Sequence, residues 1–227
     1  MIRTDAAGRV LPVVVNDRES ETRTPARALH RLPDNARDPF TPVPPSPFVR
    51  PSESDLTRLA PGRPQAHGEP IAITGRILDE DLRPVRRTLV EVWNANSHGR
   101  YSHLADAGRP DAPLDPNFYG FGRLVTDDEG NFHVRTIKPG AYIARPDIGW
   151  WRPPHVHFSI VGSGVRLVTQ MYFPGEPLNE KDYIYMIIPD GDRDRVVGQP
   201  TAAAAGDRGF RFDIVVRGRY QTPPDVD

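Results

Sequence analysis

The segment Arg152-Pro-Pro-His-Val-His-Phe158 places two histidines two positions apart. On a strand, residues i and i+2 project from one face, about 6.5 Å apart along the backbone. Imidazoles so spaced can meet one metal ion without bending the chain, and the prolines before them leave no neighbouring amides to compete for the rings. The same pattern also suits a strand with two incidental histidines. There is no cysteine, which excludes thiolate zinc sites, disulfides and a cysteine nucleophile. Asp147 is the only carboxylate between Asn131 and Ser163, so a ferrous site of two histidines and one carboxylate would have to import its acid. Two phenols lie in the flanking stretches: Tyr101 ends Ser97-His-Gly-Arg-Tyr101, and Tyr142 follows Lys138-Pro-Gly-Ala141. A phenol has a reference pKa of about 10 and ligates at neutral pH only to a strongly acidic metal. Ferric iron meets that condition better than zinc or ferrous iron. Residue types alone make Tyr101, Tyr142, His155 and His157 a plausible ferric site, with core or turn aromatics as the competing reading.

The elements that must position these residues read as strands. Ile71–Leu78 is followed by the turn Asp79–Pro84 and the returning strand Thr88–Trp93. Leu124–Thr126, the turn Asp127–Gly130 and Phe132–Ile137 read as the clearest hairpin. His155–Val161, Arg166–Phe173 and Gly209–Arg217 complete the set, while Glu180–Met186 and Ala202–Ala205 are short helical candidates. Many short strands separated by turn signals predict an all-β sandwich over residues 71–218. The long loops 94–122 and 138–154 are where function would sit on that scaffold.

Twelve of the 26 prolines fall within residues 1–70. Proline removes backbone donors and drives its predecessor to extended conformations, so this stretch is expected to be an extended arm, partly intersubunit. Leu29, Phe40, Phe48 and Leu59 would dock it. Residues 219–227 read as a short tail. Formal net charge is −1, and basic residues such as Arg83, Arg86 and Arg87 are scattered, which argues against nucleic acid or an anionic membrane as a partner. The N-terminus lacks the apolar core of a signal peptide, and the longest apolar run, Leu11–Val15, is far too short to span a bilayer. A cytoplasmic location is expected.

Seven segments carry a resemblance: Leu89–Asn96, Gly99–His103, Leu114–Phe118, Arg135–Gly140, Trp151–Phe158, Thr169–Phe173 and Phe212–Gly218. In this order they resemble the intradiol ring-cleavage dioxygenases, and within that family the catalytic β chains of the protocatechuate-cleaving branch. The resemblance implies one Fe(III) per catalytic chain, with Tyr101 and His155 as equatorial ligands and Tyr142 and His157 as axial ligands. Tyr142 is then also catalytic, leaving the metal to take a substrate proton. Arg152 is expected against the substrate ring and Gln170 in the polar wall of the pocket. The implied substrates are O2 and a catechol, protocatechuate foremost, giving a carboxy-cis,cis-muconate, and the implied partner is a homologous α subunit. Alternatives are the same chemistry on 4-sulfocatechol or hydroxyquinol, or a non-catalytic β-sandwich subunit. One local departure is visible. Ala141, Ile143 and Ala144 surround Tyr142 where the family usually has prolines and a tryptophan, making that wall smaller and more apolar.

Overall fold

The computed structural model describes residues 3–4, 10–11, 49–103, 106, 112–162, 165–203 and 206–225. Residues 1–38 form a unit of their own, in which β1 (Arg3–Thr4) pairs antiparallel with β2 (Val10–Leu11). The expected arm contacts through Leu29, Phe40 and Phe48 lie outside the described residues.

The second unit is all-β, with two principal sheets. One sheet has the order β10 (Val165–Tyr172), β9 (His155–Gly162), β4 (Leu89–Trp93), β5 (Phe121–Val125), antiparallel throughout. The other is built on β3 (Pro70–Leu78), flanked on one side by β6 (Asn131–Ile137). Its other side pairs in parallel with β12 (Arg208–Arg211) and β13 (Ile214–Val215), and β11 (Gln199–Thr201) lies beyond β12. A short helix, α1 (Tyr183–Met186), stands where the sequence predicts one, while Ala202 and Ala203 are not helical. Among the described residues no helix is long and apolar enough to cross a membrane.

Period-two alternation accounts for the core. In β9, Val156, Phe158 and Ile160 are buried with Ile73, Ile77, Val90, Val92, Phe132 and Val134 from both sheets. Phe158 touches Phe132 and Phe212 at ring-centroid distances of 5.7 and 5.3 Å, stitching the layers together. Burying one such side chain contributes about 1.5–3 kcal/mol. Because successive residues face opposite ways, the same strand must turn His155, His157 and Ser159 to the other face of its sheet.

Three strand expectations need correction. Leu124–Thr126 and Phe132–Ile137 do not form a hairpin: β5 pairs with β4 and β6 with β3, so the Asp127–Gly130 turn arches from one sheet to the other. Asp127 accepts from the Glu129 and Asn131 amides, as a hairpin turn would, and local turn chemistry does not distinguish the two. The Asp79–Pro84 turn likewise leads from β3 into the opposite sheet. The strand expected over Gly209–Arg217 is broken at Phe212–Asp213, where the Asp213 carboxylate accepts from the Arg76 amide. Gly75 sits against that break, and a Cβ there would collide with the Phe212 carbonyl.

From Val49 the chain packs on the ends of β5 and β6. Leu56 and Ala66 enter the core, Glu53 pairs with Arg123, and Asp55 pairs with Arg135. Leu59, one of the residues expected to dock the arm, is exposed in this single chain.

Candidate active site

The two tyrosine segments are locked together before either meets the histidines. Asn96 is buried and its side-chain oxygen accepts from the amides of His98 and Arg100, curling the chain toward Tyr101. Its carbonyl accepts from Gly99 and Gly140, tying that curl to the segment before Tyr142. Gly99 has φ +74°, and a Cβ there would strike the Ala141 carbonyl. Backbone therefore crosses backbone at this point, and the two phenol rings end edge to face, with centroids 5.7 Å apart.

The region expected to be a loop around Tyr142 is a strand pair. β7 (Tyr142–Arg145) and β8 (Trp150–Arg152) run antiparallel, with Tyr142 directly opposite Arg152. The sequence does not signal it, because the strands are short and neither alternates cleanly. Asp147, in the turn between them, is exposed and bound to Arg145, so it is no ligand.

All four predicted ligand residues come together. The Tyr101 hydroxyl lies 3.5 Å from His155 Nε2 and 3.2 Å from His157 Nε2, and the Tyr142 ring is 5.8 Å from that of His155. Each histidine has its other nitrogen engaged. His155 Nδ1 donates to the Pro153 carbonyl at 2.6 Å, and His157 Nδ1 donates to Asp225 Oδ2 at 3.1 Å. Those partners assign the protons to Nδ1, leaving both Nε2 lone pairs directed at the tyrosine oxygen. Burial holds His155 well below the ordinary histidine range, helped by the positive charge of Arg152 and by His157. Trp93 stacks on His157 at 4.8 Å with the ring planes 5° apart. Among the described residues no group of three His, Cys, Asp or Glu side chains could hold a metal ion, so a metal here must use the phenols. Two imidazole nitrogens and two phenol oxygens are a hard, anionic-when-ionised donor set that suits ferric iron.

Arg152 and Gln170 belong to one buried cluster beside the histidines. Arg152 is 1% exposed and donates to Asp182, to Gln170 Oε1 at 2.5 Å and to the Tyr172 hydroxyl at 3.4 Å. Asp182, fully buried, also accepts from Trp150 Nε1 at 3.1 Å and from the Tyr172 hydroxyl at 3.1 Å. Burial pushes the Asp182 carboxyl up while Arg152 pulls it down, and burial keeps Tyr172 a phenol. Register explains the assembly: Gln170 is paired with His157 and Tyr172 with His155 across β9 and β10. The Gln170 amide nitrogen is buried without an acceptor among the described residues. Sequence reasoning missed Asn96, Tyr172, Asp182 and Asp225. Tyr172 was reachable, since it lies two residues after Gln170 on one strand face.

A cleft of about 680 Å³, with Arg50, Asn131, His133 and Arg211 in its lining, includes none of these groups. A family model described as Dioxygenase matches residues 45–218. The protocatechuate 3,4-dioxygenase β chain of Burkholderia cepacia is 47% identical over 211 residues, covering 91% of this chain and 89% of that one. The α chain of protocatechuate 3,4-dioxygenase from Pseudomonas putida is 30% identical over 73% of this chain and 79% of that one. Chlorocatechol 1,2-dioxygenase from Pseudomonas putida superposes with a TM-score of 0.55 at 27% identity, over 74% of this chain and 65% of that one. The chain belongs to the dioxygenase family, in its intradiol ring-cleaving branch, and it is an enzyme.

Proposed function

We propose that this chain cleaves a catechol between its two hydroxylated carbons with O2, at a ferric iron held by Tyr101, Tyr142, His155 and His157. The observation that carries this reading is the approach of one phenol oxygen to two histidine Nε2 atoms whose Nδ1 protons are already committed elsewhere. Bound there, iron would supply Lewis acidity toward the catechol oxygens. His155 and His157 offer lone pairs, and burial spares His155 competition from protons. Tyr142, if such an iron held it as phenolate, would be the base that accepts a catechol proton at its phenolate oxygen. Arg152, directly across from Tyr142, sets a fixed positive charge beside the ring as negative charge develops on it. It reorganises little, because Asp182 and Gln170 already hold it. The free donor of Gln170 is available to a substrate oxygen.

The name of the Burkholderia cepacia relative supports protocatechuate as substrate and a carboxy-cis,cis-muconate as product. The α chain relative supports a homologous α subunit as partner. A 4-carboxylate in a dry pocket needs a cationic or hydrogen-bonding wall, and with Ala144 beside Tyr142 an α partner is the natural source of it. The same argument makes 4-sulfocatechol the second candidate, ahead of hydroxyquinol. The test is iron content, visible absorption and kcat/KM for protocatechuate, 4-sulfocatechol, catechol and hydroxyquinol, on protein co-expressed with its α chain. About one iron per copy of this catalytic chain, a phenolate-to-iron absorption band and a preference for the anionic catechols are expected. A colourless active zinc protein overturns the ferric reading. A tenfold preference for catechol, about 1.4 kcal/mol, overturns the anionic substrate.

A further inference from the structure

We infer that Asp225, beyond the end of the family match at residue 218, is a positioning residue for His157 and makes the C-terminal segment part of the metal centre. The inference rests on the ferric reading above. Its first support is geometric: Asp225 Oδ2 lies 3.1 Å from His157 Nδ1, and each side chain is only 7% exposed. A loose tail would not hold such a contact, and this segment is fastened at successive points. Thr222 exchanges bonds with Val215, its amide donating to the Val215 carbonyl and its hydroxyl accepting from the Val215 amide, at 3.0 Å each. Thr169 Oγ1 donates to the Pro223 carbonyl at 2.7 Å. The Asp225 amide donates to the Val168 carbonyl at 2.7 Å, so residues 222–225 run from β13 to the edge of β10.

The chemistry of the partner matters as much as its place. A carboxylate can only accept, so Nδ1 of His157 carries a proton, and in the neutral ring Nε2 is then the nitrogen with the lone pair. An acceptor bearing charge also makes the imidazole a stronger donor to a metal. His155 has instead a neutral carbonyl on its Nδ1. The two histidines are thus inequivalent, with His157 the stronger ligand and its ring plane fixed by Trp93 on one face. None of this follows from strand alternation, which gives both histidines the same outlook.

The experiment compares wild type, Asp225→Asn, Asp225→Ala and Thr169→Val, each full length and reconstituted with ferric iron. Iron retention is read against a competing hydroxamate chelator, and melting is read on the metal-free proteins. Asp225→Ala should hold iron about tenfold less well or worse, within the range seen when such outer partners are removed. Asp225→Asn should fall between, because its amide oxygen still accepts but carries no charge. Thr169→Val removes one fastening near Pro223 but leaves the carboxylate and the Asp225–Val168 bond in place, so its loss should be clearly smaller than that of Asp225→Ala. Coincident metal-free melting of wild type and Asp225→Ala places the loss at the metal and not in the fold. Iron retention by Asp225→Ala within about twofold of wild type overturns the inference, as does an equal loss in Thr169→Val. A wild type that takes up no ferric iron overturns the ferric centre itself, a separate result from either of these.

Discussion

Replacing Asp182 should damage the protein more than replacing any exposed acid in it, and the size of the effect can be worked from its surroundings. The carboxylate is fully buried and its partner Arg152 is 1% exposed. Removing one member of a buried pair leaves the other charge uncompensated, which costs about 3–5 kcal/mol. Asp182 also accepts from Trp150 Nε1, the Tyr172 hydroxyl and the Ile184 amide, and a buried donor left without an acceptor costs about 1–3 kcal/mol. These losses overlap as the site relaxes. Asp182→Ala should therefore lose about 5 kcal/mol, and Asp182→Asn, which keeps one acceptor oxygen, about 3 kcal/mol. With a urea slope near 3 kcal/mol per molar, the Asn variant should unfold about 1 M earlier at an unchanged slope. Arg152 would then no longer be held between Asp182 and Gln170, so kcat/KM should fall about tenfold or more although Asp182 touches no substrate. A midpoint within about 0.2 M of wild type would refute the claim that this pair organises the pocket.

Three further outcomes follow from other parts of the structure. Phe158→Ala should destabilise the fold by about 3–5 kcal/mol in equilibrium unfolding, because its ring joins both sheets through Phe132 and Phe212. Tyr142→Phe should keep most of its iron, since three ligands remain, but lose visible absorption intensity and slow substrate deprotonation in stopped-flow traces. In the metal-free chain His155 resists protonation when folded, whereas the unfolded chain takes up that proton below its ordinary value of about 6.5. The folded chain should thus lose about 1.4 kcal/mol per pH unit as pH falls below that value, until the buried ring itself titrates, and His155→Gln should lack this part of the slope.

How much of this was legible in the sequence depends on whether the signal was local. The strands expected at 71–78, 88–93 and 132–137 are marked by β-branched residues and alternation, and the i, i+2 spacing of His155 and His157 marks a shared face. Composition and hardness then brought the two tyrosines to the same metal, although only resemblance to a family joined the four into one site. What stayed hidden was decided by topology. An Asp-rich turn has the same local chemistry whether it closes a hairpin or arches to the opposite sheet, so the destination of β6 could not be read from Asp127–Gly130. Asp182 and Asp225 sit 30 and 68 residues from the groups they hold, and nothing in their neighbours marks them off from the other acids of the chain.

The two kinds of information meet in β9. Its odd positions carry His155, His157 and Ser159, and its even positions carry Val156, Phe158 and Ile160 into the core. One-residue slippage would exchange these sets, burying imidazoles among aliphatic side chains and setting Val156, Phe158 and Ile160 among the polar groups of the site. The cost of that exchange far exceeds what any single ligand contributes, so the hydrophobic core sets the register on which the metal site depends. The site itself then needs only short-range work: a curl at Asn96 to deliver Tyr101, a strand pair to deliver Tyr142 and Arg152, and carboxylates from distant segments to fix the arginine and one imidazole. That division explains why the scaffold could be read from the alternation of a single sequence, while the residues that tune the site could be found only where the chain had already folded back on itself.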